Sequence, residues 1–402
     1  MTILIVAGIL GFIMAFSIGA NDVANSMATA VGAKAITVRQ AATIAMFLEF
    51  LGAIMFGSHV SQTIVKGIVE VEKVQPVELM YGSLSALIAA SLWILIATNW
   101  GYPVSTTHSI VGGMIGFGLV AVGVDGINWK KFLFIVLSWI VSPVFGGLIS
   151  FVIFKLISLS VFHTKNPKKS STIAIPFFIS LAVFTMTSLF VKKTLKQPLS
   201  ESLILGIIFS IVTFFGIHFT VRKLVNKTKN VYDAVENVFK RAQILTSCYV
   251  SFSHGANDVA NAAGPVAAVM IVASTGVVPK TVEIPFLALL LGGIGISLGV
   301  FFFGQKVMET VGEKITTLTN SRGFTVDFST ATTVLLASSL GLPVSTTHVV
   351  VGAVTGVGFA RGLEMVNVGV LKNIVISWLL IVPTVAATSA AVYWGLKLIL
   401  KF

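Results

Sequence analysis

Residues 19–25 read GANDVAN, and residues 255–261 read GANDVAN again. A second motif, PVSTTH, stands at 103–108 and returns at 343–348. The offsets are 236 and 240, so order and spacing are both kept. Weaker echoes hold the same register. Gly57-Ser58-His59-Val60 matches Gly304-Gln305-Lys306-Val307, and both PVSTTH motifs are followed by glycines, Gly112, Gly116 and Gly118 against Gly352, Gly356 and Gly358. Two long identities in matching order are far beyond chance, so the chain is an internal duplication. The first unit spans 1–160 and the second 237–402, with 161–236 between them.

Composition sets the solvent in which this duplication works. The chain is 55% hydrophobic and 10% charged, whereas a soluble domain carries roughly 25% charged residues. Apolar runs recur along the whole length, from 2–20 to 369–400. A membrane-spanning helix needs about 20 apolar residues. Several runs are shorter, among them 244–253, 264–278 and 330–342. Short runs point to broken helices or re-entrant hairpins, which survive at membrane depth only inside protein or against a cavity. The expectation is an all-α integral membrane protein with about 10–12 membrane segments. Met1-Thr2-Ile3 supplies no positive n-region and no A-x-A pattern ends the first run, so that run reads as a span and not as a signal peptide. The single cysteine, Cys248, excludes an intramolecular disulfide.

Charge orients the chain. Between 161 and 243 stand twelve Lys and Arg against Glu201, Asp233 and Glu236. Basic excess beside membrane ends marks the cytoplasmic side. Lys165, Lys168 and Lys169 precede Arg222, Lys223, Lys227, Lys229, Lys240 and Arg241 by two spans, hence on one face. The loop 222–243 is therefore expected in the cytoplasm, as an orientation signal that binds neither nucleic acid nor another ligand. An odd number of segments before the second unit makes it enter the membrane upside down. Inverted repeats place a binding site near the midplane, between the repeats.

The two motifs carry the chemistry. GANDVAN sets Asn21, Asp22 and Asn25, repeated as Asn257, Asp258 and Asn261, inside apolar sequence. A carboxylate at membrane depth costs at least about 2.5–3.5 kcal/mol and marks function by default. Gly19 permits an unwound turn whose carbonyls could act as ligands. Carboxylate, amide and carbonyl oxygens suit a hard cation. Glu49, a third carboxylate in an apolar run, has no acidic counterpart in the second unit. It reads equally as a peripheral cation ligand and as a structural carboxylate bonded to a neighbouring helix. PVSTTH opens a helix, and Ser105, Thr106 and Thr107 with Ser345, Thr346 and Thr347 offer hydroxyls and free backbone N–H groups. Such a terminus favours an anion. One copy alone would pass for an ordinary N-cap; two opposed copies would aim at one point that a tetrahedral oxyanion fits. His108 and His348 read as structural hydrogen-bonding groups, and His59, His163, His218 and His254 carry no signal.

An anion between Asp22 and Asp258 requires cations, or protons, to relieve the repulsion. The doubled GANDVAN and doubled PVSTTH resemble the signature of the inorganic phosphate transporter (PiT) family, sodium- or proton-coupled phosphate symporters. The resemblance covers both repeats and omits the basic linker. It implies phosphate as cargo, a homodimer, and a mobile core moving against a scaffold. It implies that Ser105, Thr106, Thr107, Ser345, Thr346 and Thr347 bind phosphate with help from Asn25 and Asn261. Asp22, Asp258, Asn21 and Asn257 would serve sodium, with Glu49 as the further candidate, in a multi-pass protein of the plasma (inner) membrane. Sodium would be the coupling ion, with no covalent cofactor. The second GANDVAN is followed by Ala262 where the first is followed by Ser26, so the cation shells need not be equivalent. An intramembrane hydrolase is disfavoured because every reactive group occurs twice. An anion channel remains the other rival.

Overall fold

A computed structural model describes residues 1–70, 73–100, 104–225, 230–278, 284–314, 319–362 and 368–402. Pro103, Lys227 and Lys229, and the side chains of Lys306 and Val307, lie outside the described residues. The described chain is helical: α1 (Thr2–Gly32), α2 (Val38–Phe56), α3 (Ser58–Gly67), α4 (Pro76–Asn99), α5 (Thr106–Ala121), α6 (Trp129–Ile157), α7 (Pro167–Leu189), α8 (Leu199–Val225), α9 (Val231–Thr275), α10 (Phe286–Lys314), α11 (Asn320–Ser339), α12 (Thr346–Arg361) and α13 (Val368–Leu400). Among the described residues, 9 helices are long and apolar enough to cross a membrane. The all-α integral membrane class follows.

Three expectations change. The run 244–253 and all but the last three residues of 264–278 are not separate short segments but parts of α9, one helix of 45 residues that contains Pro265. Both GANDVAN motifs lie inside unbroken helix, so Gly19 opens no unwound turn. Its role is close approach. A Cβ on Gly19 would collide with the Ile296 carbonyl of α10, and one on Gly255 with the Glu49 carbonyl of α2. In return, Gly299 of α10 lies against the Phe16 carbonyl and Gly52 of α2 against that of Phe252. Without a hydrophobic drive between helices in lipid, small residues that let backbones touch become the main source of packing energy. The stretch 222–243 is also less of a loop than expected. α8 runs to Val225, and Asn230 starts α9 by accepting a hydrogen bond from the Tyr232 N–H at 3.0 Å.

The crossings pair the helices two by two. α1 over α10 mirrors α9 over α2. The glycines after PVSTTH complete the pattern: Gly112 and Gly116 of α5 face the carbonyls of Val382 and Ala386 on α13. Gly352 and Gly356 of α12 face those of Pro143 and Gly147 on α6. Each short helix therefore packs on the last helix of the other unit, and the two units interlock around a shared centre. α7 and α8 stand between them without counterparts.

A buried polar centre between the repeats

The short helices α5 and α12 begin in the interior, not at the surface. Ser105 and Ser345 cap them from extended backbone, accepting hydrogen bonds from the N–H groups of His108 at 3.2 Å and His348 at 3.3 Å. That geometry leaves Thr106, Thr107, Thr346 and Thr347 in the first turns, where backbone N–H groups have no partner within the helix. All six Ser and Thr side chains are buried.

The aspartates of α1 and α9 meet these turns. Thr106 donates to Asp22 Oδ2 at 2.8 Å, and Thr346 to Asp258 Oδ2 at 3.3 Å. Asn25 and Asn261, one turn further on, donate to the same carboxylates at 3.3 and 3.4 Å. The asparagines also cross between repeats. Asn25 donates to Thr347 at 2.8 Å, and Asn261 to Thr107 at 3.3 Å and to Thr106 at 3.4 Å. Thr107 in turn donates to the Val344 carbonyl at 3.1 Å. Asp22, Asn25, Thr106, Thr107, Asp258, Asn261, Thr346 and Thr347 thus form one connected network of buried side chains.

Asn21 ties the network's surroundings together, whereas Asn257 joins the network itself. Asn21 donates to Thr98 at 2.9 Å and accepts from the Val104 N–H at 3.0 Å, tying α1 to α4 and to the lead-in of α5. Asn257 donates to Asp258 and to the Val344 carbonyl, both at 2.8 Å, and accepts from Ser338 at 3.3 Å. His108 and His348 pack against α6 and α13. Their Nδ1 atoms lie 3.3 Å from the Trp378 carbonyl and 3.4 Å from the Trp139 carbonyl, and their rings stack on Trp139 and Trp378.

One residue at the centre escaped sequence reasoning. His254 is fully buried with Nε2 2.8 Å from Asp258 Oδ2 and 3.8 Å from Asp22 Oδ2, while Nδ1 lies 3.0 Å from Glu49 Oε2. Glu49 also accepts from Ser26 at 3.3 Å. The signal was available: His254 immediately precedes the second GANDVAN, where the first copy has Ile18. A polar residue that breaks the repeat next to its most regular motif marks an asymmetric task. Asp327 is a second such departure. It is buried on α11 and accepts from Thr29 at 2.7 Å and Ser247 at 2.6 Å.

The electrostatics are severe. One ligand atom each from Asp22, His254 and Asp258 lie within 4.8 Å of one another. Two carboxylate charges at that separation repel by roughly 3.5 kcal/mol at an effective dielectric of about 20. The donor set is rich in oxygen and suits a hard cation of low charge.

Fold and centre together define a polytopic membrane protein whose two repeats enclose a buried polar site. A sequence profile of the phosphate transporter family matches residues 18–389, and the chain belongs to that family. A Thermococcus kodakarensis protein named as a phosphate permease is 50% identical over 393 residues, 97% of each chain. The chloroplastic inorganic phosphate transporter 2-1 of Arabidopsis thaliana is 41% identical over 98% of this chain and 72% of its own length. A solved structure described as the sodium-dependent phosphate transporter is 92% identical, with a TM-score of 0.97 over 99% of this chain and 100% of that one.

Proposed function

We propose that the protein is a secondary active transporter that imports inorganic phosphate by symport with sodium. The observation that carries this reading is the cross-repeat network, in which Asn25 reaches Thr347 and Asn261 reaches Thr107 beside two aspartates. Phosphate binds between the opposed starts of α5 and α12, held by Ser105, Thr106, Thr107, Ser345, Thr346 and Thr347 with Asn25 and Asn261. Helix N-termini and hydroxyls recognise an oxyanion without a fixed positive charge, so binding stays reversible. Asp22 and Asp258 hold sodium, with Asn21, Asn257 and Glu49 completing or supporting the shells. Sodium neutralises the aspartates, and only then does the centre accept an anion. That order is the coupling. Membership of the phosphate transporter family supports the cargo, and the 92% identical sodium-dependent transporter supports the ion.

The remaining features fit the same reading. The units 1–160 and 237–402 are inverted repeats that alternate access around the midplane, with 161–236 as an inserted helical pair and basic segment. The protein works as a homodimer in the plasma (inner) membrane, with 222–243 on the cytoplasmic side, and catalyses no covalent chemistry. Purified protein in liposomes tests the proposal. An inward sodium gradient should drive accumulation of radiolabelled phosphate above equilibrium, and a proton gradient alone should not. Equal uptake with and without the sodium gradient would overturn it.

A further inference from the structure

The repeats are matched at the centre and mismatched on the way out. On α9, Gln243, Ser247 and Ser251 lead away from His254 and Asp258 at helical spacing, and all are buried. At the same positions of the first repeat, α1 carries Ala7, Gly11 and Ala15. On α11, Asp327 and Thr330 stand where α4 has Leu87 and Ala90. At these five positions the second repeat therefore offers polar side chains where the first offers only small or apolar ones. The polar side is also incompletely bonded. Among the described residues, both amide atoms of Gln243 and the hydroxyls of Ser251 and Thr330 are buried without a hydrogen-bond partner. Each such group costs about 1–3 kcal/mol unless something fills it. A dry seam would gain from exchanging them for the apolar residues of the other repeat.

We infer that this seam between α1, α9 and α11 is the release route of the coupling cation. The inference rests on the proposed symport and names its path. A cation leaving Asp258 passes Ser251, Thr330, then Asp327 with Ser247, then Gln243. Ser247, Ser251, Thr330 and Gln243 offer hydroxyl and amide oxygens along this part of the seam, and the Asp327 carboxylate repels phosphate, so the anion leaves elsewhere. The seam ends where Glu236 of α9 accepts from Ser321 of α11 at 2.7 Å. Glu236 stands in the second turn of α9, the helix that follows Arg222 and Lys223 at the end of α8 in the chain. At the matching positions of α1 and α4 the way to the opposite face carries no polar side chain.

Cysteine labelling in the full-length protein tests the route. Cys248 is replaced by alanine, and Ser251→Cys and Thr330→Cys are made separately on that background in liposomes of known orientation. A positively charged methanethiosulfonate reagent should modify both from the face bearing Arg222 and Lys223. Sodium at ten times its dissociation constant should slow the reaction about tenfold, because an occupied closed state suppresses opening by that factor. Ala15→Cys and Ala90→Cys, the counterparts on the other repeat, should stay unmodified. Labelling from the opposite face only, equal labelling of Ala15→Cys, absence of labelling at both seam positions, or labelling indifferent to sodium each overturns the inference. Two seam positions on different helices guard against one variant that misfolds. Phosphate uptake is measured on the same vesicles, so loss of the substrate reading and loss of the route are seen separately.

Discussion

Replacing Asp22 by asparagine separates charge from shape. The amide keeps an oxygen that can accept from Thr106, now at 2.8 Å from the carboxylate, so the local geometry should survive. What disappears is one negative charge within 4.8 Å of Asp258. Two consequences follow, and they have opposite signs. A cation about 4 Å from the lost charge forfeits roughly 4 kcal/mol at an effective dielectric of about 20. That corresponds to about a thousandfold weaker sodium binding. An anion at the same centre escapes a repulsion of similar size, so phosphate should bind Asp22→Asn with far less need of sodium. The expected signature is a loss of sodium-driven accumulation by at least about a hundredfold, together with phosphate binding that no longer depends on sodium. Uptake into proteoliposomes reads the first, and equilibrium binding of radiolabelled phosphate across a sodium titration reads the second. Retained sodium-driven accumulation would refute the reasoning. So would a folded variant whose phosphate binding stayed as sodium-dependent as the parent's.

Four further outcomes are expected. Asn25→Ala removes the donor to Thr347 and to Asp22; loss of buried hydrogen bonds worth about 1–3 kcal/mol should raise the KM for phosphate by tenfold or more with the sodium gradient still effective, and an unchanged KM would exclude Asn25 from the site. Gly299→Ala drives a methyl into the Phe16 carbonyl, which should destabilise the α1–α10 crossing by roughly 1–3 kcal/mol. Gly216→Ala, with open space around its Cβ, should instead gain up to about 1 kcal/mol from helix propensity; thermal unfolding in detergent followed by tryptophan fluorescence compares the two, and equal shifts would contradict the close-approach reading. Lys397→Met breaks the partly exposed pair with Glu78 at 3.2 Å and should change stability by less than about 1 kcal/mol in the same measurement.

What the linear chain carried was burial and repetition. The membrane class, the doubled motifs and the residue types of the site could all be read from hydropathy and identity, because each is a property of neighbouring letters. The glycines after PVSTTH were visible as a pattern, and the packing of α5 on α13 and α12 on α6 explains them. His254 and Asp327 were overlooked because a residue standing once in a duplicated chain looks like noise until its surroundings are known.

Partnership was a matter for tertiary structure. Asn25 and Thr347 are separated by 322 residues, and nothing in either motif specifies that an amide of one repeat should meet a hydroxyl of the other. That meeting depends on how closely α1 lies over α10 and α9 over α2, a distance set by glycines that face backbone carbonyls. The same crossings keep the GANDVAN stretches helical where glycine alone permitted a break: a helix already satisfies its own N–H and C=O groups, and in a water-free interior an unwound turn would have to find other partners for them. Sequence therefore determined which groups are buried at the centre. The helix crossings decided which of them touch, since contact across a bilayer core is a property of packed surfaces and not of order along the chain.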